Sequence, residues 1–224
     1  MKLNLAKCAF MGAALALMGT AASAATIDFT RNASVGAISS GSVKGVGYTV
    51  TANGALNNSQ RYDGGTPFPM NSFGLAFDRD GLGVGDDEIS RTISNSEFVR
   101  ITFDRAVEVT GFAFLDLFRA RQGQSREAGV VRVGGNGGSP DAVLLAVQDF
   151  AERGVPGYAE LTGLSLFSNE FTFRVRNGND AVGVADGALA AVQVGAVPIP
   201  AAGVLLVGAL GGLAAMRRRA RKAA

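Results

Sequence analysis

Short runs of β-forming residues, separated by Gly-rich turns, fill the middle of the chain and constrain its fold more than any other feature. The run 98–103 places three apolar residues on one face and Arg100 and Thr102 on the other, which is the period of a half-buried strand. Residues 104–106 then predict a turn, and 107–115 its hairpin partner. Further strands are predicted at 26–30, 42–51, 130–133, 171–176 and 189–194. This pattern predicts an all-β domain, a β-sandwich of jelly-roll type.

The composition removes most classes of enzyme. The chain has no His and no Trp, and its one cysteine, Cys8, lies close to the N-terminus. Ser-His-Asp and Cys-His nucleophilic sites, thiol redox chemistry and the usual zinc sites are therefore excluded, and no P-loop motif is present. A glycosidase needs only two carboxylates and stays open as the least favoured alternative. We expect a protein that is not an enzyme.

Residues 1–24 have the organisation of a secretory signal peptide. A basic start with Lys2 and Lys7 precedes an apolar core at 9–18. Small residues follow, and they give the cleavage pattern formed by Ala22, Ala24 and Ala25. The alternative is an uncleaved membrane helix, but the apolar core is shorter than the roughly 20 residues that a spanning helix needs. Cleavage before Ala25 leaves a mature chain without cysteine, so disulfides do not support its fold.

The last 28 residues, 197–224, combine three elements in order. The first is a proline motif formed by Val197, Pro198, Ile199, Pro200 and Ala201. Its prolines favour an extended chain. The apolar stretch 201–216 follows, and as a transmembrane helix it would measure about 24 Å, slightly less than the hydrocarbon core of a bilayer. The third element is a basic cluster of Arg217, Arg218, Arg219, Arg221 and Lys222. Such a cluster stays cytoplasmic and leaves the preceding domain outside.

This tail resembles the PEP-CTERM class of sorting signals, and specifically its VPLPA-CTERM variant, with Ile199 where that pattern has Leu. The resemblance implies an exported protein of a Gram-negative bacterium, held at the inner membrane with a periplasmic domain. It also implies a partner, an exosortase-like membrane enzyme that cleaves near the proline motif, and then release to the cell surface or medium. Members of this class are often associated with exopolysaccharide. The alternative is a plain single-pass anchor. The run 81–89 is loosely similar to a segment of such exported domains.

The domain between the predicted signal peptide and the tail, residues 25–196, is mildly acidic, with 19 acidic and 14 basic residues. A negative domain repels a phosphate backbone, so we expect no nucleic-acid partner. Its densest acidic run contains Asp78, Asp80, Asp86, Asp87 and Glu88. Carboxylates on a Gly-rich loop suit Ca²⁺, although the spacing does not fit an EF-hand. The alternative, which we favour, is a solvated turn, with no cofactor.

The loop around Arg119, Arg121 and Arg126 is basic, and either contacts acidic polysaccharide or is simply solvated. The leading interpretation is an exported cell-surface or extracellular-matrix protein without enzymatic activity. A carbohydrate-binding module, with or without Ca²⁺, is the alternative.

Overall fold

In the computed structural model, the described residues are 24–65, 71–86, 88–92, 96–119, 126–135, 138–149, 155–176 and 185–195. The predicted C-terminal tail and the signal peptide before Ala24 lie outside these ranges. Among the described residues, no helix combines the length and apolar character needed to cross a membrane. The described elements are β1 (Ala25–Asp28), α1 (Val35–Ile38), β2 (Ser40–Val43), β3 (Val46–Ala52), β4 (Leu56–Asn57), β5 (Gly83–Val84), β6 (Val99–Leu115), β7 (Phe118–Arg119), β8 (Ala128–Val133), β9 (Ala142–Leu145), β10 (Gln148–Asp149), β11 (Ala159–Arg176) and β12 (Ala188–Val194). The prediction of an all-β domain is confirmed.

Two long antiparallel strands, β6 and β11, form the centre of the main sheet, whose strand order is β1-β12-β6-β11-β8-β9. They pair along most of their length, from Val99 with Phe173 to Phe114 with Ala159. On its other edge β6 has two different neighbours, because its first five residues pair with β3 and six of its last seven pair with β12. The sheet therefore has two halves that share the strands β6 and β11.

These two halves pack face to face. Phe173 pairs with Val99, so the position of Phe112 lies 13 residues further along β6, about 43 Å away if the strand were straight. The ring centroids of Phe112 and Phe173 are nevertheless 5.8 Å apart. Register shifts in β11 between Thr162 and Leu166, and between Ser168 and Glu170, mark where the pair of strands bends. We call the half with β2, β3, β8 and β9 the first layer and the half with β1 and β12 the second layer.

The hairpin predicted at 104–106 is wrong, because β6 runs through these residues without a turn. Asp104, Arg105 and Ala106 are exposed strand residues between two buried runs. The strand predicted at 42–51 is instead a hairpin of β2 and β3. Its turn consists of Lys44 and Gly45, both with positive φ (54° and 70°), as a tight two-residue hairpin turn requires. Asp104 and Arg105 have negative φ, so the chain continues where the sequence suggested a break.

The face of the second layer that points away from the shared core is covered by residues 71–77. Phe73 and Leu75 are buried in a second apolar cluster with Leu115 of β6. The Glu160 carboxylate holds this segment, since it accepts hydrogen bonds from the Ser72 amide (3.1 Å) and hydroxyl (2.6 Å). The second layer is thus buried on both faces.

Candidate binding site: the arginine face

The outer face of the first layer carries a row of arginines because the strands alternate. Val99, Ile101 and Phe103 of β6 point into the core, so Arg100 points outward. Arg100 lies opposite Thr172 of β11, and Thr172 lies opposite Arg132 of β8. One register step further along β11 on the same face comes Arg174, and then Arg176. Arg91 forms a backbone bridge with Ser96, and both residues line the same cleft as Arg132 and Arg174. We call the set Arg91, Arg100, Arg132, Arg174 and Arg176 the arginine face.

A cleft of about 430 Å³ opens on this face. Its polar lining consists of Arg91, Ser96, Arg132, Ser139, Arg174 and Arg176. Arg132 is held because its Nε donates to the Ser139 carbonyl at 3.2 Å, and Arg174 because its Nη1 donates to the Ser96 hydroxyl at 3.3 Å. The guanidinium groups of Arg100 and Arg174 lie 5.4 Å and 5.0 Å from the ring centroid of Phe98. The aromatic ring thereby positions two of the five cations.

Negative charge does not balance these arginines within the described part of the chain. Arg100 forms an ion pair with Glu170, with Nε and Oε1 3.6 Å apart. No described carboxylate lies within 4.0 Å of the other four guanidinium groups. Burial, together with the charges of Arg132, Arg100 and Arg91, lowers the pKa of Arg174 from its ordinary value. The face is an electropositive surface on an otherwise acidic domain.

Two polar atoms on this face are buried and have no hydrogen-bond partner among the described residues. One is Nε of Arg174, and the other is Oγ1 of Thr172, whose residue is completely buried. Thr172 lies between Arg100 and Arg132 in the same cross-strand row. Buried polar groups are nearly always hydrogen-bonded, so the two atoms indicate a site built to receive a polar group.

A second cleft, of about 390 Å³, is lined by Tyr62 and Phe77. Their ring centroids are 5.2 Å apart, and Phe77 has a φ of 54°, a strained value for a residue with a large side chain. Asn32, Arg61, Asp78 and Arg79 supply its polar lining. Burial and the carboxylates of Asp80, Asp116 and Asp63 raise the pKa of Tyr62 to about 12. An aromatic surface edged by amide, carboxylate and guanidinium groups suits a sugar ring.

Two of the predicted calcium residues accept hydrogen bonds from backbone amides. Oδ2 of Asp78 accepts a hydrogen bond from the Asn32 amide (3.2 Å), and Oδ1 of Asp86 accepts one from the Glu88 amide (3.2 Å). Asp80 is buried. Asp87 lies outside the described residues, and within the described ones no group of three or more carboxylates is close enough to hold a metal. Calcium binding stays a prediction.

The structure also brings together an acidic pair that the sequence did not indicate, Glu127 and Asp186. Glu127 accepts hydrogen bonds from the amides of Phe118 (2.8 Å) and Asp186 (3.4 Å). Burial is the main cause that raises the pKa of Glu127 to about 8, and the nearby Asp186 carboxylate adds to it. The pair connects the residue before β8 to the segment that leads into β12.

None of the remaining predicted residues that the structure describes lines the cleft of the arginine face. Arg119 and Arg126 of the predicted basic loop face each other across a β-bridge, and Arg121 lies outside the described residues. Of the cleavage residues, Ala25 is the first residue of β1 and pairs with Val194 of β12, Ala24 is exposed just before it, and Ala22 lies outside. The proline motif and the basic cluster of the tail lie outside as well.

Comparison of the chain with known proteins found no matching family model, no matching curated protein and no matching solved structure.

Proposed function

We propose that the chain is an exported cell-surface or extracellular-matrix protein without enzymatic activity, sorted through its C-terminal tail. In this proposal an exosortase-like membrane enzyme recognises residues 197–201 while the transmembrane helix and the basic cluster hold the chain in the inner membrane. The domain is then released to the surface or medium, where exopolysaccharide is its partner. The observation that carries the proposal is the order of proline motif, apolar stretch and basic cluster at the terminus.

The geometry of the domain is compatible with such a tail. Ala25 and Val194 are paired neighbours on β1 and β12, so the first and last strands of the described domain end side by side. We further propose that the two packed layers form a β-sandwich of jelly-roll type, which the contact of Phe112 with Phe173 supports.

Mass measurement of the mature protein from fractionated cells tests the sorting proposal. We expect an N-terminus at Ala25 and a C-terminus near the proline motif, with the product at the surface or in the medium. Recovery of a membrane-bound chain that still ends at Ala224 would contradict processing and leave a plain anchor. A variant with Pro198 and Pro200 replaced by Ala tests the motif itself, since it should accumulate uncleaved in the membrane fraction.

A carbohydrate-binding module is the second candidate, and the cleft lined by Tyr62 and Phe77 favours it. Binding to a glycan array, lost on Tyr62→Ala and kept on Tyr48→Ala, would support it. Repeating the array with calcium and with a chelator tests the Ca²⁺-dependent form. A purely structural protein gives no signal above background, for the wild type or for either variant.

A further inference from the structure

We propose that the arginine face binds a carboxylate-bearing polysaccharide, with Arg132 and Arg174 as its principal contacts. The inference rests on the proposed function in its choice of a matrix polymer as partner. The site itself is defined by a cleft of about 430 Å³, by four guanidinium groups without a described carboxylate partner, and by two buried polar atoms without a hydrogen-bond partner among the described residues.

The concentration of positive charge is the first argument. Like charges that are also partly desolvated cost stability in the free protein, and such arrangements are typical of functional sites. A bound anion would remove this cost, because the planar guanidinium fork pairs with both oxygens of a carboxylate. Arg132 and Arg174 suit this role, since Ser139 and Ser96 and the Phe98 ring hold them in place before a ligand arrives.

The spread of the charges is the second argument, and it favours a polymer over a single small anion. Arg100 and Arg132 lie on strands separated by β11, so their backbones are about 10 Å apart. Arg174 and Arg176 are two residues apart on β11, about 7 Å along the strand. One carboxylate cannot contact both pairs, whereas a chain of acidic sugars presents a carboxylate on successive units.

The surface beside the arginines is the third argument. Val143 and Leu145 of β9 are exposed by 42% and 47%, and they lie in register with Arg174 and Arg176, one strand beyond β8. Sugar rings carry apolar faces that pack on such side chains, and an apolar strip beside a basic cleft fits an acidic polysaccharide. A nucleic acid carries denser negative charge, which the acidic excess of the domain repels.

Calorimetric titration of the mature protein, purified from cells, with polygalacturonate tests the proposal. We expect binding that weakens as salt rises, and at least ten-fold weaker binding to neutral dextran. The double variant Arg132→Gln/Arg174→Gln should lose at least ten-fold in affinity. Arg105→Gln removes the same kind of charge from the exposed bend of β6 and should leave the affinity unchanged. Arg132→Lys/Arg174→Lys keeps the charge but loses the fork, so it should fall between wild type and the Gln variant.

Several outcomes would overturn the assignment. Dextran sulfate bound in preference to polygalacturonate would show that the face selects sulfate. A single-stranded oligonucleotide bound as tightly at the same salt would show an unselective polyanion surface. Equal loss in Arg105→Gln would show that only net charge matters, and no binding at all would remove the site. Thermal unfolding of each variant separates lost binding from lost folding. None of these results affects the mass measurement that locates the two termini, so the sorting proposal is tested separately.

Discussion

Substitution of Gly129 by Ala should destabilise the protein, because the space for one methyl group is taken by the opposite layer. Gly129 lies in β8, where it pairs with Val175 and Leu144. A Cβ built on it would lie 2.6 Å from Cδ2 of Phe114 and 2.7 Å from its Cε2. Such distances do not occur between carbon atoms in contact, so either the ring or strand β8 must move.

The Phe114 ring has little freedom to move. It is completely buried and packs edge to face against Phe112, with centroids 6.0 Å apart. Adding a methylene-sized group to a packed core costs about 1–3 kcal/mol. The φ of Gly129 is not positive, so the cost comes from contact alone and no backbone strain is added.

Urea unfolding of the purified mature protein measures this cost, and we expect a lower midpoint with an unchanged slope. In thermal unfolding, about 1–3 kcal/mol corresponds to a fall of roughly 2–12 °C for a domain of this size. Gly36→Ala is the matched control. Gly36 lies in α1 with no atom within 4 Å of its built Cβ, so this change should be neutral or stabilise by up to about 1 kcal/mol.

Equal stability of Gly129→Ala and wild type would refute the reasoning. It would mean that Phe114 does not face β8, and therefore that the second layer does not pack on the first. Loss of stability in both glycine variants would also refute it, because Gly36 has open space around it.

Three further predictions concern buried polar groups. The folded-state pKa of Glu127 is about 8 and lies above its ordinary value of 4.5, so its contribution to the free energy of unfolding is full below pH 4.5 and falls as the pH rises towards 8. Glu127→Gln should therefore flatten the dependence of the urea midpoint on pH. An unchanged dependence would refute the role of the pair with Asp186. Asp28→Asn should lower the free energy of unfolding in urea by roughly 1.5–3 kcal/mol, because the buried Asp28 carboxylate accepts hydrogen bonds from the amide and the hydroxyl of Thr30. A loss below about 0.5 kcal/mol would contradict this prediction. Thr172→Val should raise the free energy of unfolding by about 1 kcal/mol, since the hydroxyl it removes is buried without a described partner, and a fall in thermal midpoint would contradict this.

The sequence was sufficient to locate strands where apolar and polar residues alternate. The runs 130–133 and 171–176 lie within β8 and β11, and the run 189–194 lies within β12, as predicted. Turns were harder to place. Lys44 and Gly45 adopt positive φ inside a run that reads as one strand, while 104–106 stay extended where polar residues suggested a break. Local composition allows both outcomes in each case, and the pairing of the flanking residues with β3 and β11 decides between them.

The arginine face could be predicted only in pieces. Arg100, Arg132 and Arg174 each occupy the polar position of a predicted strand, so the sequence alone indicates that each one points away from the core. It does not indicate that the three share a surface. That follows from the strand order, which puts β6, β11 and β8 side by side although more than 25 residues separate each arginine from the next along the chain. Pairing over such separations is set by the whole sheet, and no local pattern records it.

The same topology separates the predicted tether from the predicted binding surface. Ala25 and Gly195, the described residues nearest to the predicted signal peptide and the predicted tail, lie at the β1–β12 edge of the second layer. The arginines lie on the outer face of the first layer, which points the opposite way because the two layers share one core. We therefore expect a chain that is held by its tail to keep its arginine face accessible. If the tail is a sorting signal and the arginine face a polymer site, blocking tail cleavage should leave polygalacturonate binding unchanged. Loss of binding in the uncleaved Pro198→Ala/Pro200→Ala chain, measured in detergent, would show instead that the two are coupled.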